Sequence, residues 1–146
     1  MYPPASIRIP LTRRIQAALL AAALSALAPA AALGDDLCGC WEGCWKGCTD
    51  GLTGTVKAKI TKCGENRYRA VFSGRAFKIM PYRYTSILIA ETDPETGQQH
   101  FHVTQKLPLW GCYWMNGYVT ECKFFARYHT DDHVGYFKMT RVACKH

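Results

Sequence analysis

Residues 51–74, GLTGTVKAKITKCGENRYRAVFSG, alternate in polarity on both sides of a central Gly64-Glu65-Asn66. Leu52, Val56, Ala58 and Ile60 fall on even positions, while Thr53, Thr55, Lys57, Lys59 and Thr61 fall on odd ones. Successive side chains of a strand point to opposite faces, so this pattern describes a strand with one buried and one wet face. The run after the loop repeats the parity, with Tyr68, Ala70 and Phe72 even and Arg67, Arg69 and Ser73 odd. Both apolar sets share a face only if the loop has an odd number of residues. A three-residue Gly64-Glu65-Asn66 loop with Asn66 in the left-handed region meets that condition. The register then sets Lys57 opposite Ser73, Lys59 opposite Val71, Thr61 opposite Arg69 and Cys63 opposite Arg67. Lys57, Lys59, Arg67 and Arg69 gather on the outer face, with only Glu65 at the tip as an acidic neighbour.

Downstream the same signal predicts strands around Arg75–Met80, Tyr82–Glu91, Gln99–Leu107, Gly111–Met115, Tyr118–His129 and Val134–Val142. Turns are expected at Pro81, Asp93–Gly97, Pro108, Asn116-Gly117 and Asp131-Asp132, where Gly, Pro, Asn and Asp interrupt the alternation. A two-residue Asn116-Gly117 turn opposes Cys112 to Glu121 and Cys122 to Gly111, so Cys112 and Cys122 leave opposite faces and do not bond to each other. No segment after residue 34 shows an apolar 3.6-residue period. The expectation is an all-β domain of about eight to ten short antiparallel strands, closed into a barrel because closure removes sheet edges, with a sandwich as the alternative.

Upstream, residues 38–51 read CGCWEGCWKGCTDG. A period of four is twice the strand period, so an extended chain puts Cys38, Cys40, Cys44 and Cys48 on one side and Trp41 and Trp45 on the other. A helix would carry Gly39, Gly43 and Gly47 at about 1 kcal/mol each, which favours the strand. Residues 1–34 hold Arg13 and Arg14, then an alanine-rich apolar run to Ala32, with no acidic residue. That is the anatomy of a secretory signal peptide, cleaved before Asp35, and it places the remaining domain, residues 35–146, outside the cell or in the periplasm or cell envelope. Arg8, Arg13 and Arg14 leave with the leader, so 15 Lys+Arg face 11 Asp+Glu, a balance of +4. Such a charge aids contact with acidic envelope polymers or lipid head groups but is no nucleic-acid signature. An exported domain of this size reads Cys38, Cys40, Cys44, Cys48, Cys63, Cys112, Cys122 and Cys144 first as a disulfide framework of open connectivity.

The order Gly39-x-Trp41-x-Gly43-x-Trp45, Gly54-x-Val56-x-Ala58, Tyr68-x-Ala70-x-Phe72-x-Gly74, Pro81-Tyr82-Arg83-Tyr84, Leu107-Pro108-Leu109, a Gly117-centred hairpin and Gly135-x-Phe137-x-Met139-x-Arg141 resembles the small exported β proteins of planctomycete-type bacteria. The opening Gly-x-Trp is also similar to the start of lipocalin-like barrels. The resemblance implies a fold and a compartment and no activity.

Chemistry is sparse. Acid–base catalysis needs two converging carboxyl groups, whereas Asp50, Glu65, Asp93, Glu95, Asp131 and Asp132 fall in expected turns, and Glu42 and Glu121 in strands facing outward. Neither Gly-x-Ser-x-Gly nor His-Glu-x-x-His occurs, so no catalytic residue, no cofactor and no metal site is assigned and the chain is not expected to be an enzyme. His100 with His102, and His129 with His133, offer two imidazoles each, and two ligands do not make a site. Tyr82, Tyr84, Trp110, Tyr113 and Trp114 could form a stacking platform or line a barrel mouth, with core filling as the plainer role. The expected function is a non-catalytic structural or binding module; the alternatives are a lipocalin-like carrier of a small apolar ligand and a cysteine/histidine metal-binding protein. The bulky inward set Trp41, Trp45, Ile60, Tyr68, Phe72, Phe137 and Met139 argues for a filled interior and puts the carrier second.

Overall fold

A computed structural model describes residues 36–108 and 110–145, so the signal peptide expected at residues 1–34 lies outside the described residues. Eight strands follow in chain order: β1 (Gly39–Gly47), β2 (Thr53–Lys62), β3 (Arg67–Ala76), β4 (Met80–Thr92), β5 (Gln99–Leu107), β6 (Gly111–Val119), β7 (Lys123–Thr130) and β8 (Val134–Val142). Each pairs antiparallel with its sequence neighbour, and β8 returns to β1, closing a barrel. The β2–β3 register is the one the alternation predicts, with Lys57 opposite Ser73 and Thr61 opposite Arg69. Trp41, Ile60, Tyr68, Phe72, Phe137 and Met139 are buried in one core with Phe101, Met115 and Phe124, and Trp45 packs against it.

One end of the barrel is capped by the chain before β1. Leu37 is fully buried there; its amide donates to the Gln99 side-chain oxygen at 2.8 Å, and its carbonyl accepts the Trp41 indole N–H at 3.0 Å. Gln99 in turn donates to the Tyr68 hydroxyl at 3.1 Å, so the polar groups of the cap are paired. Arg141 lies over the Trp41 ring at 4.2 Å, and its guanidinium donates to the carbonyls of Asp36, Cys38 and Glu121. The Cys40–Cys144 disulfide ties the same corner, with a Cα–Cα distance of 5.3 Å.

Four local expectations need correction. Asn116-Gly117 is not a turn: both residues sit inside β6, and the chain reverses at Thr120–Lys123, where the Thr120 amide donates to the Lys123 carbonyl at 2.8 Å. Gly117 serves packing instead, since a Cβ there would overlap the Phe125 carbonyl. Glu121 therefore lies in a turn, and Cys112 and Cys122 stand unbonded at opposite ends of β6, not across a ladder. Asn66 is not left-handed; it lies in the bend before β3, and its carbonyl accepts the Ala90 amide at 2.9 Å. Pro81 does not end a strand but sits within β4 opposite Arg75. The β4–β5 ladder runs only from Ile89 to Thr92, so at the level of Pro81 no partner amide is required on that side.

The β3–β4 reversal occurs at Phe77-Lys78, with φ of 54° and 64°. The Ile79 amide donates back to the Ala76 carbonyl at 3.2 Å. Positive φ at both central positions suits Asn-Gly and costs an L side chain roughly 1–2 kcal/mol per residue. The double substitution Phe77→Asn/Lys78→Gly should therefore stabilise the barrel by about 2 kcal/mol, raising the thermal midpoint by several degrees in a circular dichroism melt; an unchanged or lower midpoint contradicts this. Conversely, the Cys40–Cys144 bridge closes a loop of 104 residues. Cys40→Ser/Cys144→Ser should lose about 4 kcal/mol in a urea titration, and a loss below about 1 kcal/mol would show that the bridge is not formed.

Candidate functional site

The outer wall divides by chemistry. On β2–β4 the outward positions carry Lys57, Lys59, Arg67, Arg69, Arg75 and Arg83, all exposed. From Arg67 to Ala90 the chain contains no acidic residue. Lys57 is not without a partner, as the hairpin alone suggested: its ammonium donates to Glu42 on β1 at 2.8 Å, and both side chains remain largely exposed. That pair is worth little in water, and it holds the Glu42 carboxyl below its usual range. Lys59, Arg67 and Arg69 form no ion pair among the described residues.

Across β5–β8 the outward positions combine a row of aromatic rings with exposed Lys106, Lys123, Arg127 and Lys138. His100 and Tyr118 lie 6.2 Å apart between ring centroids, Tyr118 and Phe125 5.7 Å, and Phe125 and Tyr136 6.2 Å. Trp114 stacks on His129 at 4.5 Å. These are cross-strand pairs that stabilise a sheet face. The five aromatic residues named from sequence thus separate: Trp114 joins this outer face and Trp110 stands in the β5–β6 loop, whereas Tyr82, Tyr84 and Tyr113 line the mouth opposite the cap.

At that mouth Tyr84 and Tyr113 share a hydrogen bond at 3.3 Å, Tyr113 donates to the Met115 sulfur at 3.3 Å, and Tyr82 donates to the Thr55 carbonyl at 2.9 Å. Two glycines make room for the rings: a Cβ at Gly54 would overlap the Trp45 indole, and one at Gly135 the Tyr128 phenol. The interior is consequently filled. Two concavities lie on the outside, one lined by Cys44, Thr55, Arg75 and Lys78 and the other by Glu42, Lys57 and Thr140.

The cysteines and histidines disperse. Cys40 and Cys44 do leave the outer side of β1 while Trp41 and Trp45 point inward. Cys40 and Cys144 are bonded, one bridge of the expected disulfide framework, and Cys38, Cys44, Cys48, Cys63, Cys112 and Cys122 stand apart from one another. The topology separates them: Cys44 is opposite Thr55 and Lys138, Cys48 and Cys112 belong to the mouth, and Cys63 and Cys122 to different loops of the capped end. Burial and the Asp36 carboxylate push the Cys38 thiol up, away from nucleophilic character. His129 turns to Trp114 while His133 stands 3.6 Å from Asp50, so the two imidazoles do not converge. No group of three or more metal-ligating side chains occurs among the described residues.

No family model and no curated protein matches the chain. A solved structure does: a de novo designed fluorescence-activating β-barrel, with a TM-score of 0.53 and 14% identity over 74% of this chain and 94% of that one. At that identity the likeness concerns the fold alone.

The mouth has a pH signature. Burial holds Tyr82, Tyr84 and Tyr113 protonated well above the ordinary value of 10, and pushes Tyr128 up to about 12. The unfolded chain releases these protons near pH 10 and the folded chain does not, so their contribution is intact below pH 10 and is lost as pH rises through 12. The urea midpoint should fall between about pH 10 and 12, less steeply in Tyr84→Phe/Tyr113→Phe; equal slopes would place the hydroxyls in water.

Proposed function

We propose that the protein is an exported binding module that works from its outer wall, where the basic face of β2–β4 meets an anionic surface of the cell envelope. The observation that carries this is the pairing of a filled interior with a wall whose Lys59, Arg67 and Arg69 have no acidic partner among the described residues. Charged residues at mid-height on the outside also oppose a lipid-embedded barrel, whose outer band is apolar. The leader-like residues 1–34 and the Cys40–Cys144 bridge support export to an oxidising compartment. The likeness to exported planctomycete-type proteins rests on the residue pattern and belongs to the same proposal.

A lipocalin-like carrier is the second reading. It is favoured by the short β4–β5 ladder, which leaves Met80–Leu88 unpaired towards β5, and opposed by ring packing between non-neighbouring strands, Phe72 on Phe137 at 6.0 Å and Trp41 on Phe124 at 5.7 Å.

The test is retention on a sulfated polysaccharide resin against salt. Neutralising Lys57, Lys59, Arg67 and Arg69 together should lower elution salt and reduce the slope of log retention against log salt by about 3. Elution of the fourfold variant with the parent would mean that the face is merely solvated.

A further inference from the structure

Large apolar side chains are exposed almost only at the mouth. Of the six among the described residues, Phe77, Ile79, Met80, Trp110 and Val134 lie there, with Ile79 83% and Trp110 53% exposed. Four of these five occupy two neighbouring loops, β3–β4 and β5–β6. The backbone at Phe77-Lys78 is held in the left-handed region to present them, where Asn-Gly would form the same turn without strain. Isolated surface apolar residues need no explanation, but a cluster on strained loop tips does.

The charge carried by these two loops and their flanking strands has one sign, with one acidic neighbour in space: Asp131 of the β7–β8 loop accepts the Cys112 amide at 3.4 Å, beside Trp110-Gly111. Arg75, Lys78 and Arg83 flank the β3–β4 tip and Lys106 the β5–β6 loop, and no Asp or Glu occurs from Arg67 to Ala90 or from Gln98 to Thr120. Asp50, Asp131 and Asp132 sit on the other two loops of the mouth, which tilts any approach towards β3–β6. Apolar tips ringed by cations match the head-group region of an anionic bilayer, where rings and aliphatic side chains enter the acyl boundary and lysine and arginine reach the phosphates.

We propose that the protein docks on anionic lipid bilayers through this rim, inserting Phe77, Ile79, Met80 and Trp110 to head-group depth while Arg75, Lys78, Arg83 and Lys106 hold the lipid phosphates. This goes beyond the outer-wall reading: the rim is a second surface, at the end of the barrel away from Arg67 and Arg69, and its ligand is lipid.

The experiment is co-sedimentation of the purified protein with vesicles of phosphatidylcholine alone or mixed with phosphatidylglycerol. The comparison is with a rim variant, Phe77→Asn/Lys78→Gly/Ile79→Ser/Trp110→Ser, and with the wall variant neutralised at Lys57, Lys59, Arg67 and Arg69. The parent should bind the anionic vesicles and not the neutral ones. The rim variant should bind about tenfold more weakly or worse, yet elute from the polysaccharide resin close to the parent and melt no lower. A rim variant that sediments with vesicles like the parent overturns the proposal. So does a parent that ignores both vesicles but forms a dimer which the rim substitutions dissolve, because the occupant is then a second copy. If the wall variant elutes unchanged from the resin while the rim variant loses vesicles, the rim stands and the wall reading fails.

Discussion

The β1–β8 seam is the constraint on which the rest of the molecule depends. It joins the first strand to the last, across nearly the whole domain, and it is the contact without which the other seven hairpin ladders would leave two raw edges. Arg141 lies on this seam, covering Trp41 while its donors hold the carbonyls of Asp36 and Cys38. Those carbonyls belong to the segment that seats Leu37 in the end of the barrel. Closure, capping and the Cys40–Cys144 bridge are therefore one arrangement, and they turn the large apolar side chains inward.

A closed and filled barrel leaves chemistry only on its outside. Inside, the polar groups of the cap pair with one another and the hydroxyls of Tyr82, Tyr84 and Tyr113 find oxygen or sulfur partners, whereas the Trp45 indole N–H and the Ser86 hydroxyl are buried without a partner among the described residues. Outside, most carboxylates lie in loops, at the capped end and on two loops of the mouth, while β2–β4 carry cations and a single acid, Glu91 near the end of β4, and further cations stand on β1, β7 and β8. The designed barrel that shares the fold is named for activating fluorescence, and nothing in a shared wall of strands carries that property across at 14% identity.

The alternation of residues 51–74 made β2, β3, their register and the basic face legible, because one buried face forces a period of two and a single register. Trp41 and Trp45 were legible as core for the same reason. Asn116-Gly117 misled because its local turn preference was overridden: Gly117 is used inside β6 where Phe125 and Phe101 come close. The β3–β4 tip was invisible for the opposite reason, since Phe77-Lys78-Ile79 has strand-like composition and takes a turn against its propensity. The rim could not be found from sequence, because an exposed Ile79 or Trp110 has the same letters as a buried one. Cysteine pairing was equally hidden, because the Cys40–Cys144 bridge joins β1 to the segment after β8, which meet only once the barrel has closed.

Native-state hydrogen exchange along the seam tests the closed, filled barrel most directly. The amides of Trp41–Trp45 and Phe137–Arg141 should exchange only through global unfolding, at the same free energy as β2 and β3 and well above the unpaired stretch of β4. Exchange of the seam amides at a much lower free energy than β2 and β3 would show a barrel that opens at β1–β8, with an accessible interior, and would contradict a protein that works only from its outside.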